Sequence, residues 1–312
     1  MNTKLVTFLI AFLLPTVRSA ESSANWCYNL PSCNSTTWPS TTPQHCNGTR
    51  QSPVNIETKN VKLDLSLVPF SFSGFDDSSA LLHILNEGKT VKVFVNDSKV
   101  NVSKGGLADV YKTSQVHFHW GNGTFTGGSE HTLDGKQYQM EMHVVNYMSS
   151  YGSLDAALTN STGVAVLGFF IEASYGSGNP NSWKNLTSYL TKITNFGNSA
   201  IILGDFTLDS LLQGVNRSKY YRYLGSLTTP SCNEAVVWTV FKDSIKVSQD
   251  LINLFSTTVH TNTSSDPLIF NNFRISQNLN GRVITQSSLA TTPLHSTFIS
   301  AVLLCAVLWW FC

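Results

Sequence analysis

The amino-acid sequence predicts a large, β-dominated α+β fold, and three observations carry that expectation. Apolar and polar residues alternate along Thr90 to Val95, Ser114 to Trp120, Gln139 to Tyr147 and Val164 to Glu172, which is the period-two signature of strands. These segments are rich in β-branched and aromatic residues and are separated by clusters of Gly, Asn, Asp and Ser, the punctuation of turns. Helical periodicity is scarce, with Leu208 to Leu212 and Ser248 to Phe255 the best candidates. No linker, charge block or internal repeat interrupts the chain from the Ser/Thr/Pro-rich entry at Cys33 to Pro43 up to about Val283, so a single domain is expected. The order of strands in the sheet does not follow from such patterns.

The two ends read as processing signals. Lys4 precedes the apolar run Leu5 to Leu14, followed by Pro15 and the small residues Val17, Ser19 and Ala20, as in a secretory signal peptide spanning residues 1–20. Its run of ten residues is too short for a membrane span, which needs roughly 20. At the other end Phe298 to Phe311 is apolar and has no cationic cluster after it. With Ser287 or Ser288 as a small attachment residue and Leu289 to Thr297 as spacer, this is the pattern of a glycolipid (GPI) anchor signal. The reading leaves residues 21–287 as the mature domain and 288–312 as a removed propeptide, with the domain anchored at the extracellular face of the plasma membrane. The competing reading is a tail-anchor helix, but fourteen residues span a ~30 Å hydrocarbon core poorly.

A formal charge of +1 and a pI near 7.6 supply no broad field for nucleic acid, so no nucleic-acid partner is expected. Removal of the tail takes Cys305 and Cys312 with it and leaves Cys27, Cys33, Cys46 and Cys232. An even number in an oxidising compartment favours two disulfides, and three pairings are open. A zinc site built from them is disfavoured, because five residues separate Cys27 from Cys33 where ligand pairs usually have two to four. Nine Asn-x-Ser/Thr sequons, at Asn34, Asn47, Asn96, Asn101, Asn122, Asn160, Asn185, Asn216 and Asn262, agree with secretion and predict surface positions where glycosylated.

The chemistry concentrates in two strand segments. In QVHFHWG the pleat places Gln115, His117 and His119 on one face, with Phe118 and Trp120 on the other. In MEMHVVNY it places Glu141 and His143 together. Two neighbouring strands would then direct three imidazoles into one site and leave a fourth tetrahedral position open, the ligand count of catalytic rather than structural zinc. Metal-bound histidines usually donate their second ring N–H to an acceptor, and Gln115 and Glu141 are placed to serve His117 and His143. A backbone carbonyl is the expected partner of His119. His131 is expected to be a structural core histidine. His45, His83, His260 and His295 have no motif and are expected at the surface or in loops.

The segments QSPVNI (51–56), QVHFHWG (115–121), GSEHTLDG (128–135), MEMHVV (140–145), AVLGFF (165–170) and YRYLGSLTTPSCNEAVVWTVF (221–241) resemble, in order, those of the α-class carbonic anhydrases. The similarity runs from about Asn25 to Val283. It implies a central twisted, mostly antiparallel sheet of about ten strands with short peripheral helices, and an active-site cone on one face. Trp26-Cys27-Tyr28, the cysteines at 46 and 232 and the removable tail are similar to the glycolipid-anchored, membrane-bound type IV branch. That likeness implies pairings Cys27–Cys33 and Cys46–Cys232, although the first loop is shorter here than in that branch.

The resemblance also implies zinc at His117, His119 and His143, carbon dioxide and bicarbonate as substrates, and bicarbonate transporters as candidate partners. Thr228 would accept a hydrogen bond from the attacking hydroxide and donate its own proton to Glu130; the Thr228 N–H and Thr229 would hold bicarbonate. Val145, Val164, Val166, Leu227, Val236 and Trp238 match the wall of the carbon dioxide pocket. One position departs from the family: in LNEGKTVKV, Lys89 stands where fast members carry a histidine that shuttles protons out of the cone. At an ordinary pKa near 10.4 a lysine stays protonated at neutral pH and relays poorly. Tyr28, Glu87 or external buffer would then carry part of the load. The alternative function is a non-catalytic cell-surface binding module of the same fold, against which the retained histidines, Glu130 and Thr228 argue. A zinc peptidase would show His-Glu-x-x-His on a helix, and no such motif occurs.

Overall fold

A computed structural model describes residues 26–123, 126–174 and 181–288. The signal peptide expected at 1–20, the apolar tail and His295 lie outside the described residues. Among those described there are sixteen strands: β1 (Asn55–Ile56), β2 (Lys62–Asp64), β3 (Phe70–Ser73), β4 (Leu81–Asn86), β5 (Val91–Val95), β6 (Asn101–Lys104), β7 (Tyr111–Trp120), β8 (Thr132–Leu133), β9 (Lys136–Gln137), β10 (Met140–Met148), β11 (Val164–Ser174), β12 (Ser199–Ile201), β13 (Tyr220–Gly225), β14 (Val236–Phe241), β15 (Ile245–Ser248) and β16 (Thr285–Ser287). Six short helices accompany them: α1 (Trp38–Thr41), α2 (Pro43–Cys46), α3 (Leu154–Ala157), α4 (Asn181–Ser188), α5 (Leu208–Leu211) and α6 (Gln249–Thr258).

Thirteen of the strands form one sheet, whose main path runs β12-β4-β5-β7-β10-β11-β14-β13-β16-β2. Ten strands lie on that path, and β3, β6 and β15 are attached to it. Most pairs are antiparallel; β11 with β14, β11 with β15, and β16 with β2 are parallel. The two end strands, β12 and β2, are only three residues long, which limits the exposed edge. The four sequence-predicted strands correspond to β5, β7, β10 and β11, and the two predicted helices to α5 and α6.

The central strands β10 and β11 are covered on both faces, so nearly every residue in them is buried and their sequences run apolar with few gaps. Val116, Phe118, Trp120, Met142, Val144 and Leu167 point into the larger core. Helix α6 closes this core, with Phe255 packed 5.3 Å from the rings of both Phe118 and Trp120. Alternate residues, among them Val145, Val166, Trp238 and Tyr223, build a second cluster on the opposite face, beside the histidines. Helix α4 escapes sequence reading because NSWKNLTS is poor in helix formers. Tertiary contacts hold it: Trp183 is buried and its Nε1–H donates to the Leu211 carbonyl at 3.1 Å.

Both disulfides are present. Cys27–Cys33 closes the segment that carries Trp26 and Tyr28, and Cys46–Cys232 ties α2 to the loop after β13. Trp38, Cys46 and Cys232 form a small buried cluster against which Trp26 and Tyr28 pack. None of the nine sequon asparagines is buried. His83 lies on β4, stacked on Phe94 at 4.4 Å, rather than in a loop.

Loop length sets the expected worth of each bridge. Cys46 and Cys232 are 186 residues apart in sequence, so replacing both with Ser should cost about 5 kcal/mol, against about 2 for Cys27 and Cys33, whose separation is 6. Urea unfolding of the two double variants checks this; equal losses would contradict it.

Candidate metal centre

Strands β7 and β10 are antiparallel neighbours in which His117 lies opposite His143 and His119 opposite Glu141. The outer nitrogen of each imidazole is engaged. His117 Nδ1 donates to Gln115 Oε1 at 2.9 Å, His119 Nδ1 to the Asn272 carbonyl at 2.7 Å, and His143 Nε2 to Glu141 Oε1 at 2.7 Å. Each inner nitrogen therefore presents a lone pair. His143 Nδ1 lies 3.2 Å from both His117 Nε2 and His119 Nε2. With the outer nitrogens as donors, no proton bridges these atoms, and three acceptors face one another.

Such a cluster needs a cation. Zn–N bonds of ~2.0–2.1 Å in a tetrahedron place nitrogens about 3.3 Å apart, close to the separations found. Burial pushes the His119 imidazole down to about 3, and burial together with the neighbouring imidazoles holds His117 well below its ordinary value. All three rings are thus neutral, the form that ligates metal. His131, Glu141 and His143 also cluster, but there the nitrogens already donate to the carboxylate, so that group is a support.

Glu141 is the centre of that support. Its Oε2 accepts the backbone N–H groups of Glu130 and His131 at 2.9 and 2.8 Å, and its Oε1 accepts His131 Nδ1 and His143 Nε2 at 2.7 Å each. Burial opposes its ionisation, but the interactions with His131 and His143 outweigh burial and hold the carboxyl well below the usual range. His131 completes the brace by meeting the Tyr223 hydroxyl through Nε2 at 2.7 Å.

Glu130 is buried beside the triad. Its Oε1 accepts the Arg274 backbone N–H at 2.8 Å, while Oε2 lies 3.4 Å from His119 Nε2 without a hydrogen-bond partner. Burial pushes this carboxyl well above its usual range, and the hydroxyl of Thr228 and the Arg274 amide pull it back. Next to the triad a cavity of about 140 Å³ is lined by Val145, Val166, Leu227 and Trp238, with Leu154, Leu158, Thr228 and Thr229. A wider cavity of about 480 Å³ opens outward past Gln115, Thr229, Lys92, Lys89 and Trp26.

Residues 33–288 match the eukaryotic-type carbonic anhydrase family. The chain belongs to that family. It is 35% identical to carbonic anhydrase 15 of Mus musculus, over 94% of this chain and 95% of that one. It is likewise 35% identical to carbonic anhydrase 4 of Oryctolagus cuniculus over 87% of each, and 34% identical to carbonic anhydrase 12 of Homo sapiens over 88% and 76%. Carbonic anhydrases catalyse the reversible hydration of carbon dioxide, and the family's metal is zinc.

Val164 and Val236 share a face with Val166 and Trp238, but they sit two residues earlier, at the first position of their strands. They are fully buried in the cluster behind the cavity rather than lining it. Leu154 and Leu158, at α3 and just after it, cover that end instead, a role that no pattern in the sequence reveals. Asn272 and Arg274 also escape sequence reading. They lie in an irregular segment with no periodicity, yet Asn272 accepts from His119, and its side chain holds Trp120 N–H at 2.7 Å and the carbonyls of Lys89 and Phe118.

At the rim, Lys89 Nζ sits 4.6 Å above the centre of the Trp26 ring, and Lys92 pairs with Glu87 at 2.5 Å. Of the two candidate attachment serines, Ser287 is buried in β16, its hydroxyl donating to the Ser218 carbonyl at 2.7 Å. Ser288 lies just beyond the strand.

Gly168 lies opposite His143, and a Cβ there would come 3.1 Å from Glu141 Oε1. Gly168→Val should displace that carboxylate and weaken metal binding by about 10–100-fold, the usual cost of losing a partner that orients a ligand. Competition titration with a zinc chelator checks this, with unchanged affinity as the contrary result.

Proposed function

We propose that this carbonic anhydrase hydrates carbon dioxide with zinc held by His117, His119 and His143, at the extracellular surface, and that its turnover is limited by proton release. One observation carries the zinc assignment: three lone-pair-bearing nitrogens converge beside an apolar cavity while every outer nitrogen is satisfied. When bound, zinc supplies a hydroxide nucleophile at neutral pH by lowering the pKa of water from 15.7 to about 7, a magnitude established for this enzyme family rather than derived from this chain.

The chain's own residues orient the attack. Glu130 Oε1 is taken by Arg274, which leaves Oε2 to accept the Thr228 hydroxyl proton. Burial disfavours the charged form of Glu130, and a cation held by the neighbouring histidines would favour it; so ionised, the carboxylate only accepts, and Thr228 would donate to it and keep lone pairs to accept from the nucleophile. The nucleophile's remaining lone pair then faces the cavity. Carbon dioxide has no net dipole, and Val145, Val166, Leu227 and Trp238 exclude water from the space it needs. The Thr228 N–H and Thr229 would hold the bicarbonate product.

Purified protein should contain one zinc per chain and lose carbon dioxide hydration on chelation. His119→Ala should lower hydration by several orders of magnitude. Zinc-loaded protein without hydration would favour the binding-module alternative, and hydration without metal would remove the zinc assignment.

The rim supports the limit on rate. Burial lowers the Lys89 ammonium, but Glu87 opposes that shift and the Trp26 face favours the charged form. Burial holds the Tyr28 hydroxyl well above its ordinary value, so Tyr28 is no relay near neutrality. Glu87 is occupied by Lys92, which leaves external buffer as the main carrier. A group of pKa ~7 returns its proton to water at only ~10³ s⁻¹ if reprotonation runs near a ~10¹⁰ M⁻¹s⁻¹ ceiling, whereas this family's fastest members reach ~10⁶ s⁻¹. In stopped-flow measurements kcat should rise with buffer concentration, and Lys89→His should raise it at least about tenfold in dilute buffer, toward that family rate. A kcat already maximal in dilute buffer would refute this.

The expected end signals support secretion and a glycolipid anchor. No helix among the described residues is long and apolar enough to cross a membrane. The strand position of Ser287 favours Ser288 for attachment. Bicarbonate transporters are candidate partners there. Release from cells by a phosphatidylinositol-specific phospholipase tests the anchor.

A further inference from the structure

The described chain ends beside an exposed apolar lip. The parallel register of β2 and β16 pairs Leu63 with Gln286 and Asp64 with Ser287, so Leu65 leaves the sheet at the same end as Ser288. Leu63, Leu65 and Val68 are 59%, 75% and 45% exposed. On the other flank β13 runs antiparallel to β16, which brings its start to this end as well. The Lys242 backbone N–H donates to the Lys219 carbonyl there, which sets the two lysines side by side; Lys242 Nζ also donates to Gln286 Oε1 at 2.5 Å, over the Tyr221 ring. The nearby carboxylates Asp64 and Asp243 are engaged by the backbone N–H groups of Ser66 and Asn216. Three exposed aliphatic side chains along a sheet edge are a liability in free solution, where another chain can pair with them.

We propose that this end of the sheet rests on the lipid bilayer that anchors the chain, with Leu63, Leu65 and Val68 in the headgroup layer and Lys219 and Lys242 against lipid phosphates. The proposal rests on the anchor reading above. With the glycolipid attached at Ser288, no further polypeptide separates the lip from the anchor. The far edge of the sheet also exposes Ile201 and Leu203, at 73% and 78%, but lies at the opposite end of the strand path. From β2 to β7 are six strand steps of ~4.8 Å, which would hold the metal centre roughly 25–30 Å from the lip across the sheet. The sequon at Asn216 is exposed at the lip's end. A glycan there would stand between Lys219 and the lipid, so the proposal requires Asn216 to be unoccupied.

The full chain, expressed in animal cells and purified with its anchor, is reconstituted in phosphatidylcholine vesicles and compared with the phospholipase-released form by hydrogen exchange. Peptides covering 61–69 and 217–220 should exchange several-fold more slowly on vesicles, with 199–203 unchanged. Leu65→Asp and the pair Lys219→Glu with Lys242→Glu should abolish that protection and leave zinc content and hydration intact. Equal exchange in both forms overturns the proposal, as do protection at 199–203 or a glycan on Asn216. Protection that survives release and grows with protein concentration assigns the edge to a second copy and also overturns it. If the phospholipase releases nothing, the anchor reading fails and takes this proposal with it; release without protection defeats this proposal alone.

Discussion

The site depends on the register between β7 and β10. His117 opposite His143, with His119 one pleat further on, is what brings three imidazoles to one point. A slip of one residue would turn His117 and His119 into the core and send Val116, Phe118 and Trp120 to the cavity. The apolar residues that alternate with the ligands oppose that slip, because they are buried in the larger core and locked under α6. Core packing and ligand placement are therefore one constraint expressed on two faces. The bulge between Val145 and Asn146 falls beyond the ligands, where a shift of register no longer affects them.

A second layer fixes direction. An imidazole on a strand can rotate, and each ring here is held by an acceptor at its outer nitrogen. Those acceptors come from different depths of the chain: Gln115 and Glu141 each from the strand of the histidine it serves, and Asn272 from a segment 153 residues away from His119. The same late segment holds Glu130 through Arg274, whose guanidinium reaches Gln51 and Ser52 and lies over Trp38. The N-terminal disulfide cluster is thereby joined to the carboxylate beside the metal centre, and Cys232 joins it to the loop that carries Thr228.

Strand alternation made β7 and β10, the triad and two of its acceptors legible in the sequence, because a strand buried on one functional face writes its geometry at period two. The contributions of Asn272 and Arg274 were not legible, since an irregular segment has no period and its partners are set by tertiary folding alone. Helix α4 failed for a related reason: its residues favour other conformations, and packing overrides them. Val164 and Val236 were placed at the pocket wall by resemblance, and they lie buried in the cluster that backs the cavity.

The rim separates the chemistry from its rate. To relay protons at pH 7, Lys89 would have to fall by more than three units from ~10.4, a cost of ~4–5 kcal/mol to the charged form. Partial burial acts in that direction. The Trp26 face opposes it, since a cation over an aromatic ring is stabilised by ~0.5–2 kcal/mol, and Glu87 opposes it further. Both contacts favour the charged form of Lys89 at the mouth, against its burial, while Lys92 pairs with Glu87. A positive mouth favours the approach of anions, so under the proposed limit on proton release anionic buffers from solvent would be the favoured carriers. The same charge favours bicarbonate in the dehydration direction. On the proposed reading, the inner site is complete while the rate is set by what the medium brings to the rim.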